Sequence, residues 1–481
     1  MKLNEILKNI PFNGTHDNRD ISSITHDSRK VKKGTLFIAI SGEESDGHDF
    51  IFSAIKSGAT AIVANGRAPS TDEVPIIQVE NPRKVMSKIA ANFYQNPSNE
   101  LDIVGITGTN GKTTTTQIID YILKYNNLSS SSLGTLGFIS SSGIVSTGFT
   151  TPESIELQQI LKTIKDGGCN YVPMEISSHA LEMSRVDDVN VKYAIFTNLG
   201  TDHLDFHQNI ENYFNAKLKL FKNLNKDGTA IINNDDIYSK KIIKNISCKY
   251  FTYGFKKKSD LMITNYTLNI NCSSAIIKYK NTEFKFKTHL IGKFNLYNIL
   301  ASISCCINIG IDMKIILQAI DSFKNVPGRL EKYNIPSSNS IAIIDYAHSP
   351  DAYENIFKTI HEFKKNKKII TIFGCGGNRD NSKRPIMASI SEKYSDFIYI
   401  TNDNPRNEDP DKIIEDIKNG FRKNNFKIIK NRKTAIQEAI RTNKNSIFLI
   451  LGKGIEEFQI VKDKRIPHSD IKIIRDYINE S

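Results

Sequence analysis

No two cysteines in this 481-residue chain stand in CxxC spacing. The six present (Cys169, Cys248, Cys272, Cys305, Cys306 and Cys375) fall mostly in apolar runs. Neither a zinc site nor a disulfide framework is indicated, and a reducing, cytoplasmic setting is expected. No apolar run is long enough to span a bilayer; the longest, around 300–311, carries Ser and Asn. The start, MKLNEILKNIPF, lacks both the long apolar core and the small-residue cleavage site of a signal peptide. The net charge is +12, yet Lys and Arg are scattered rather than gathered into a stripe. No RRM-like or zinc-finger signature accompanies them. The excess reads as solvated surface, and no nucleic-acid partner is expected.

What is present fits a soluble α/β protein. Hydrophobic residues make up 39% and charged ones 24%, and the length suggests roughly three domains. The organising stretch is LDIVGITGTNGKTTTT, 101–116. Leu101 to Val104 read as a buried strand, a glycine-rich turn follows, and the apolar period of QIIDYILKY marks a helix. Strand, loop and helix in this order form a phosphate cradle. Gly105, Gly108 and Gly111 are expected to let backbone N–H groups converge on an anion, Lys112 supplies a point charge, and Thr113 or Thr114 offers a hydroxyl to Mg²⁺. The loop is a short form, since Ile106 stands where the general P-loop pattern has glycine.

Residues 1–82 read as a small first unit with strands at LFIAI, ATAIVA and PIIQVE. Its Asp27, Ser28 and Arg29, and Asp46, Gly47 and His48, taken alone, are turn or cap residues. The second unit, 83–326, has a further buried strand, YVPMEI, in which Glu175 needs a cation or metal to offset its desolvation. Ser177, Ser178 and His179 follow it. A third strand, YAIFTNL, ends beside Asn198, Asp202, His203, Asp205 and His207. Polar groups at the carboxyl ends of neighbouring strands suit a metal–nucleotide complex. Lys217 falls on the apolar face of its helix, and by spacing alone reads as a snorkelling lysine. Asn295 and Asn298 open another helix. Residues 327–481 alternate strand and helix, which implies a mostly parallel, Rossmann-like sheet covered on both faces. Its loops DYAHSPD, GCGGNRDNSKRP, DNPRNEDP and GKGIEE again carry polar residues at strand ends.

TGTNGKTTT, EISSH, NLGTDHLDFH, AKLKLF, GRLE, DYAHSPD, GCGGNRDNSKRP, DNPRNEDP and GKGIEE occur in one order. That order resembles the Mur ligases, and most of all those members that add the third residue to the UDP-MurNAc peptide of peptidoglycan. The resemblance runs from about Thr25 to the C-terminus. It implies a UDP-binding domain at 1–82, an ATP-binding domain at 83–326 and an amino-acid-binding domain at 327–481. Gly108, Thr109, Asn110, Gly111, Lys112, Thr113 and Thr114 would hold the ATP phosphates, with Asn295, Arg329, Asp345 and His348 closing over the nucleotide. Thr113, Glu175 and His203 would bind Mg²⁺. Lys217 corresponds to the family's carbamylated lysine, whose CO2-derived carbamate helps place a second Mg²⁺, so the resemblance displaces the snorkelling reading. Catalysis would rest on Lys112, Glu175, His203 and Lys217. Ser28, Thr150, Thr151, Ser177 and Arg185 would meet the UDP-MurNAc-peptide. Arg379, Asp403, Asn404, Pro405, Arg406, Gly452 and Glu456 would form the amino-acid pocket. Within it DNPR implies meso-diaminopimelate, because Arg406 can hold the distal carboxylate in bidentate fashion. The chain departs from the family at Ile455, where GKGHE is usual, and no substrate role is carried to Met183.

The resulting expectation is a monomeric ATP-dependent ligase that joins diaminopimelate to UDP-MurNAc-L-Ala-D-Glu through an acyl phosphate. Three alternatives remain at this point. A lysine-adding relative or a folylpolyglutamate synthase is opposed by DNPR and by the N-terminal domain. A P-loop GTPase would need NKxD, whereas NLNKDG (223–228) has its Asp one place early. An inactive binding module is opposed by the intact Lys112, Glu175, His203 and Lys217.

Overall fold

The computed structural model describes every residue except 15, 43, 44, 70, 257 and 481. Among the described residues three large sheets follow one another along the chain, and a two-stranded antiparallel ribbon (Phe458–Val461 with Lys464–Pro467) comes after them. The first has four parallel strands in sequence order: β1 (Ser23–Thr25), β2 (Thr35–Ile38), β3 (Ala59–Ala64) and β4 (Ile76–Gln78). Leu36, Ile38, Ala61, Val63 and Ile77 point to one side. There they meet Met86, Ile89 and Ala90 of the helix Pro82–Phe93, which opens with Asn81 as its N-cap. The strand β1 is absent from the sequence reading because it is three residues long, too short for an alternation to register.

The second sheet has eleven strands. In chain order these are β5 (Asp102–Thr107), β6 (Ser132–Gly134), β7 (Gly137–Ser140), β8 (Gly143–Val145), β9 (Tyr171–Glu175), β10 (Val191–Phe196), β11 (Thr229–Asn233), β12 (Lys249–Gly254), β13 (Leu261–Thr267), β14 (Ser273–Tyr279) and β15 (Thr282–Thr288). In space they run β15-β14-β13-β12-β11-β10-β5-β9-β6-β7-β8. The middle is parallel, and each edge carries an antiparallel extension. Successive residues of β5 serve opposite layers, as the period of two requires. Val104 and Ile106 pack toward the helices Lys112–Tyr125 and Lys293–Ile309, whereas Ile103 packs with Leu218 and Phe221 of the helix Ile210–Lys222.

Gly105 requires a correction. It lies inside β5, paired with Met174 and Ala194, and not in the phosphate turn. A Cβ there would come within 2.7 Å of Ile176 Cδ1 and 3.2 Å of Val191 Cγ1. Close packing under the helix Ile210–Lys222 accounts for this glycine; anion binding does not. The strand therefore runs three residues past Val104.

The third sheet holds β16 (Glu331–Ile335), β17 (Ser340–Asp345), β18 (Lys368–Phe373), β19 (Phe397–Ile400), β20 (Phe426–Ile428) and β21 (Ser446–Leu451), in the order β16-β17-β21-β18-β19-β20. All neighbours are parallel except the edge pair β16–β17. Ile343, Ile369, Ile398 and Leu449 face one apolar layer, and Ile344, Ile370, Phe448 and Ile450 the other. That is the doubly covered sheet expected of the βα alternation. Among the described residues no helix is long and apolar enough to cross a membrane.

Candidate active site

The carboxyl ends of β5, β9, β10 and β17 open on one cleft of about 1320 Å³, lined by residues of all three sheet regions. The phosphate loop forms its floor. Gly108 and Gly111 adopt φ of 146° and 88°. A Cβ on Gly108 would lie 1.9 Å from Thr197 Oγ1, and one on Gly111 2.2 Å from Asn298 Oδ1, so both positions need glycine on backbone and packing grounds. Lys112 Nζ folds back and donates to the carbonyls of Gly108 (2.9 Å) and Thr109 (3.0 Å). Burial depresses its pKa, and Arg329 adds to the depression while Glu175 and Asp202 oppose it. Asn110 N–H donates to Asn198 Oδ1, which ties the loop to the end of β10.

Glu175 ends β9 and is buried, in keeping with its place in an apolar run. Its partners are not legible in the sequence. Thr113 Oγ1 donates to Oε2 at 3.1 Å, and Thr135 donates from its backbone N–H to Oε1 at 2.8 Å and from its hydroxyl to Oε2 at 3.1 Å. Arg329 Nη2 in turn donates to Thr113 Oγ1 at 3.0 Å, so a residue of the C-terminal region reaches the nucleotide floor. His203 adopts a left-handed φ of 56°, its Nε2 3.5 Å from the Asp202 carboxylate and its ring edge-on to His179. Burial pushes its pKa down to about 3, against the pull of Asp202, so the imidazole is neutral and free to ligate.

Among the described residues no three His, Cys, Asp or Glu side chains form a self-contained metal cluster. The available set is a threonine hydroxyl, one carboxylate and a neutral imidazole. That set fits Mg²⁺, which keeps several waters and takes further oxygens from substrate phosphates.

Lys217 does not snorkel. It is 2% exposed, Nζ donates to Gly108 O at 3.1 Å, and the ammonium lies 4.3 Å from the centroid of the Tyr213 ring. Burial depresses its pKa well below the usual lysine value, and neighbouring Lys112 adds to the depression. It lies within the helix face that packs on Ile103 of β5 and on Ala194 and Phe196 of β10, and not at that face's solvent edge, which spacing alone does not reveal. A neutral amine in such a place can take up CO2, so the site suits a carbamate.

Two flanks complete the cleft. On one, Thr151 Oγ1 donates to Glu175 O and accepts from Ser177 N–H, and Thr150 meets Thr135. Arg185 donates to Thr151 O, pairs with Glu153 at 2.7 Å and lies 5.1 Å from the ring centroid of exposed Phe149. Glu153 also meets Arg83, from the helix packed on the first sheet. Ser28 does not line this cleft; it begins a short 3₁₀ turn capped by Asp27. From that first region Gly42, Ser45 and Arg83 line the cleft instead.

On the other flank Asp345 accepts from the backbone N–H groups of Leu330 and Ala347, and burial raises its pKa. His348 bonds Tyr346 O, and Asn295 donates to Ile291 O while accepting from Asn298. Beyond them lie Arg379, Asp403, Asn404, Arg406, Gly452 and Glu456. Arg406 donates to Gly377 O at 2.8 Å, and burial together with Arg379 lowers its pKa. The loop is held by Lys453, a residue outside the set named from the motifs. Thr135 and Lys453, like Gly42, Ser45 and Arg83, are residues that sequence reasoning misses. The lysine has a usable signal, being charged between two glycines at the end of an apolar strand. Thr135 has none, since its partner lies forty residues away.

Family models match three consecutive stretches: the Mur ligase family catalytic domain over residues 20–94, the Mur ligase middle domain over 106–306 and the Mur ligase glutamate ligase domain over 328–454. The chain belongs to the Mur ligase family. It is 41% identical over 491 residues to the UDP-N-acetylmuramoyl-L-alanyl-D-glutamate–2,6-diaminopimelate ligase of Clostridium tetani, with all of both chains covered. The ligase of the same name from Aquifex aeolicus is 42% identical over 460 residues, covering 95% of this Mur ligase and 94% of that one. A solved structure of UDP-N-acetylmuramoyl-L-alanyl-D-glutamate–2,6-diaminopimelate ligase aligns over 100% of this chain and 99% of its own, with 26% identity and a TM-score of 0.69. MurF ligase from Thermotoga maritima in complex with ADP shares the fold over 95% and 97% of the two chains, at 18% identity and a TM-score of 0.65.

Proposed function

We propose that this Mur ligase joins meso-2,6-diaminopimelate to UDP-MurNAc-L-Ala-D-Glu, driven by ATP, in the synthesis of peptidoglycan precursors. The observation that carries the reading is that one cleft collects the glycine-lysine loop, the Thr150–Arg185 flank and the Asp403–Arg406 loop. Three substrates need three such walls. The names of the full-length relatives support the same substrates.

In this reading Gly108 to Thr114 and Lys112 hold the ATP phosphates. Arg185 and the Thr151–Ser177 pair hold the muramyl-peptide, so that the D-Glu side-chain carboxylate faces the γ-phosphorus. A carboxylate oxygen forms the new P–O bond, and ADP leaves. The amine of diaminopimelate, having lost its proton, then attacks the acyl carbon, and phosphate departs with the C–O bonding pair. Thr113, Glu175, His203 and the Lys217 carbamate would hold Mg²⁺, which would neutralise charge on the transferring phosphoryl group. Arg329 and His348 bring the C-terminal region over the nucleotide. Arg406 would take the distal carboxylate of diaminopimelate, which lysine lacks. A cytoplasmic setting agrees with six cysteines that are all unpaired.

The test is phosphate release from ATP by purified protein with UDP-MurNAc-L-Ala-D-Glu, comparing meso-diaminopimelate with L-lysine. Release that depends on diaminopimelate supports the reading; release with lysine alone rejects the role of Arg406. A Lys112→Ala variant should lose turnover by at least about a hundredfold, and unchanged turnover would sink the assignment.

A further inference from the structure

Lys453 lies in the loop after β21, fully buried, behind the Asn404 and Glu456 side chains that line the amino-acid pocket. Its ammonium donates to Glu456 Oε2 at 2.6 Å and to Asn404 Oδ1 at 3.0 Å, and stands 3.9 Å from an Asp403 carboxylate oxygen. Asn404 Oδ1 also accepts from Ile460 N–H at 2.9 Å, and its amide Nδ2 donates to Glu456 Oε2 at 2.8 Å. These bonds fix the orientation of the Asn404 amide. Its oxygen is saturated by two donors, so its NH2 must face Glu456. They also occupy one oxygen of Glu456 twice. The other, Oε1, accepts no hydrogen bond among those seen for this side chain, which is a quarter exposed.

We propose that Lys453 is the positioning residue of the amino-acid pocket: it locks Asn404 and Glu456 so that a single carboxylate oxygen, Glu456 Oε1, receives an ammonium of the incoming amino acid. This rests on the proposed reading that the Asp403–Arg406 loop takes diaminopimelate. Lys453 itself is sealed from the cleft and already paired, so it does not touch substrate. Its charge offsets the mutual repulsion of Asp403 and Glu456, which would otherwise drive the two carboxylates apart or take up a proton. The pocket thus keeps one fixed acceptor instead of a mobile, doubly available carboxylate.

The experiment is a comparison of Lys453→Met with wild type, measuring KM separately for diaminopimelate, ATP and UDP-MurNAc-L-Ala-D-Glu. Misaligning one charge-assisted hydrogen bond to the amino acid raises KM for diaminopimelate by about ten- to a hundredfold, with KM for ATP and for the muramyl-dipeptide within about twofold of wild type. A merely structural role gives another pattern. Arg329, Asp345 and His348 belong to the same domain, so general loosening raises KM for ATP as well. An equal rise for all substrates, or no rise for diaminopimelate, overturns the proposal. Lys453→Gln, which keeps donors but no charge, repeats the comparison if the Met variant does not fold; a chain that folds with neither side chain assigns Lys453 to stability alone and also overturns it. Wild type that releases phosphate without need of any amino acid rejects the parent reading, and that result is distinct from any behaviour of the variants.

Discussion

In the nucleotide floor, Lys112 and Lys217 converge on the carbonyl of Gly108, and among the described residues neither has a carboxylate within ion-pair distance. In the C-terminal region the fully buried cations among the described residues are paired. Arg384 meets Glu408 and Asp416, Arg432 meets Asp470, and Lys453 meets Glu456. All of these except half-buried Lys112 are nearly or wholly sealed from solvent. A buried charge without a partner is costly, and the cost appears as a depressed amine pKa at both lysines. A buried charge with a partner keeps its charge and becomes part of the framework. The unpaired cations are therefore those poised for chemistry with something absent from the chain itself, and the paired ones hold the walls in place.

The largest test of that division is Lys217→Met. Turnover should fall by at least about a hundredfold, yet the variant should unfold at the same temperature as wild type or higher, because an unpaired buried amine is replaced by an apolar side chain of similar length. Paired turnover and calorimetry decide it. A variant that loses stability along with activity would place Lys217 in the framework. The reciprocal change is Arg432→Met. It leaves the fully buried Asp470 carboxylate with the His468 ring as its one remaining ion-pair partner among the described residues, and should cost about 3 kcal/mol in chemical unfolding.

The acid limb of stability follows from the same pair. Burial alone would raise the pKa of Asp470, but the Arg432 guanidinium and the His468 ring outweigh it and hold the carboxyl well below its ordinary value. A depressed folded-state pKa contributes stability that is complete above the unfolded value, about 3.9, and is lost as pH falls toward the folded one. Urea midpoints should therefore drop below about pH 4 in wild type, and the drop should be shallower in Asp470→Asn. An equal slope in both would remove Asp470 from the account.

How much of this is legible in the sequence depends on distance along the chain. The phosphate loop is local: Gly108, Gly111 and Lys112 lie within five residues, and their conformations follow from residue type. The alternating faces of the C-terminal strands are local too. Spacing misplaces Lys217 because helical periodicity identifies an apolar face without saying whether its rim meets solvent. Here the rim meets the Gly108 carbonyl, 109 residues away. Gly105 is misleading because a glycine near a glycine-rich turn looks like part of it, whereas its constraint comes from Ile176 and Val191. The pairing of Lys453 with Asn404 spans 49 residues and leaves no pattern to find.

The smallest expected effect sharpens the comparison most. Arg406 sits in the C-terminal region yet behaves like the nucleotide-floor lysines. It is half-buried and bonded to the Gly377 carbonyl, with no carboxylate at ion-pair distance among the described residues. Its backbone is left-handed, with φ of 53°, a conformation that costs a side-chain-bearing residue about 1 kcal/mol or more. Arg406→Gly relieves that strain and deletes the hydrogen bond to Gly377 O and a long one, 3.5 Å, to Asn404 O, so stability should change by about 1 kcal/mol or less. The preference for diaminopimelate over lysine should fall nonetheless, because the cation to which the proposed function gives the distal carboxylate is gone. Competition between the two amino acids under identical conditions measures this directly. A variant that keeps its preference would show that an unpaired cation in this domain can be idle, and the division between the two regions would no longer hold.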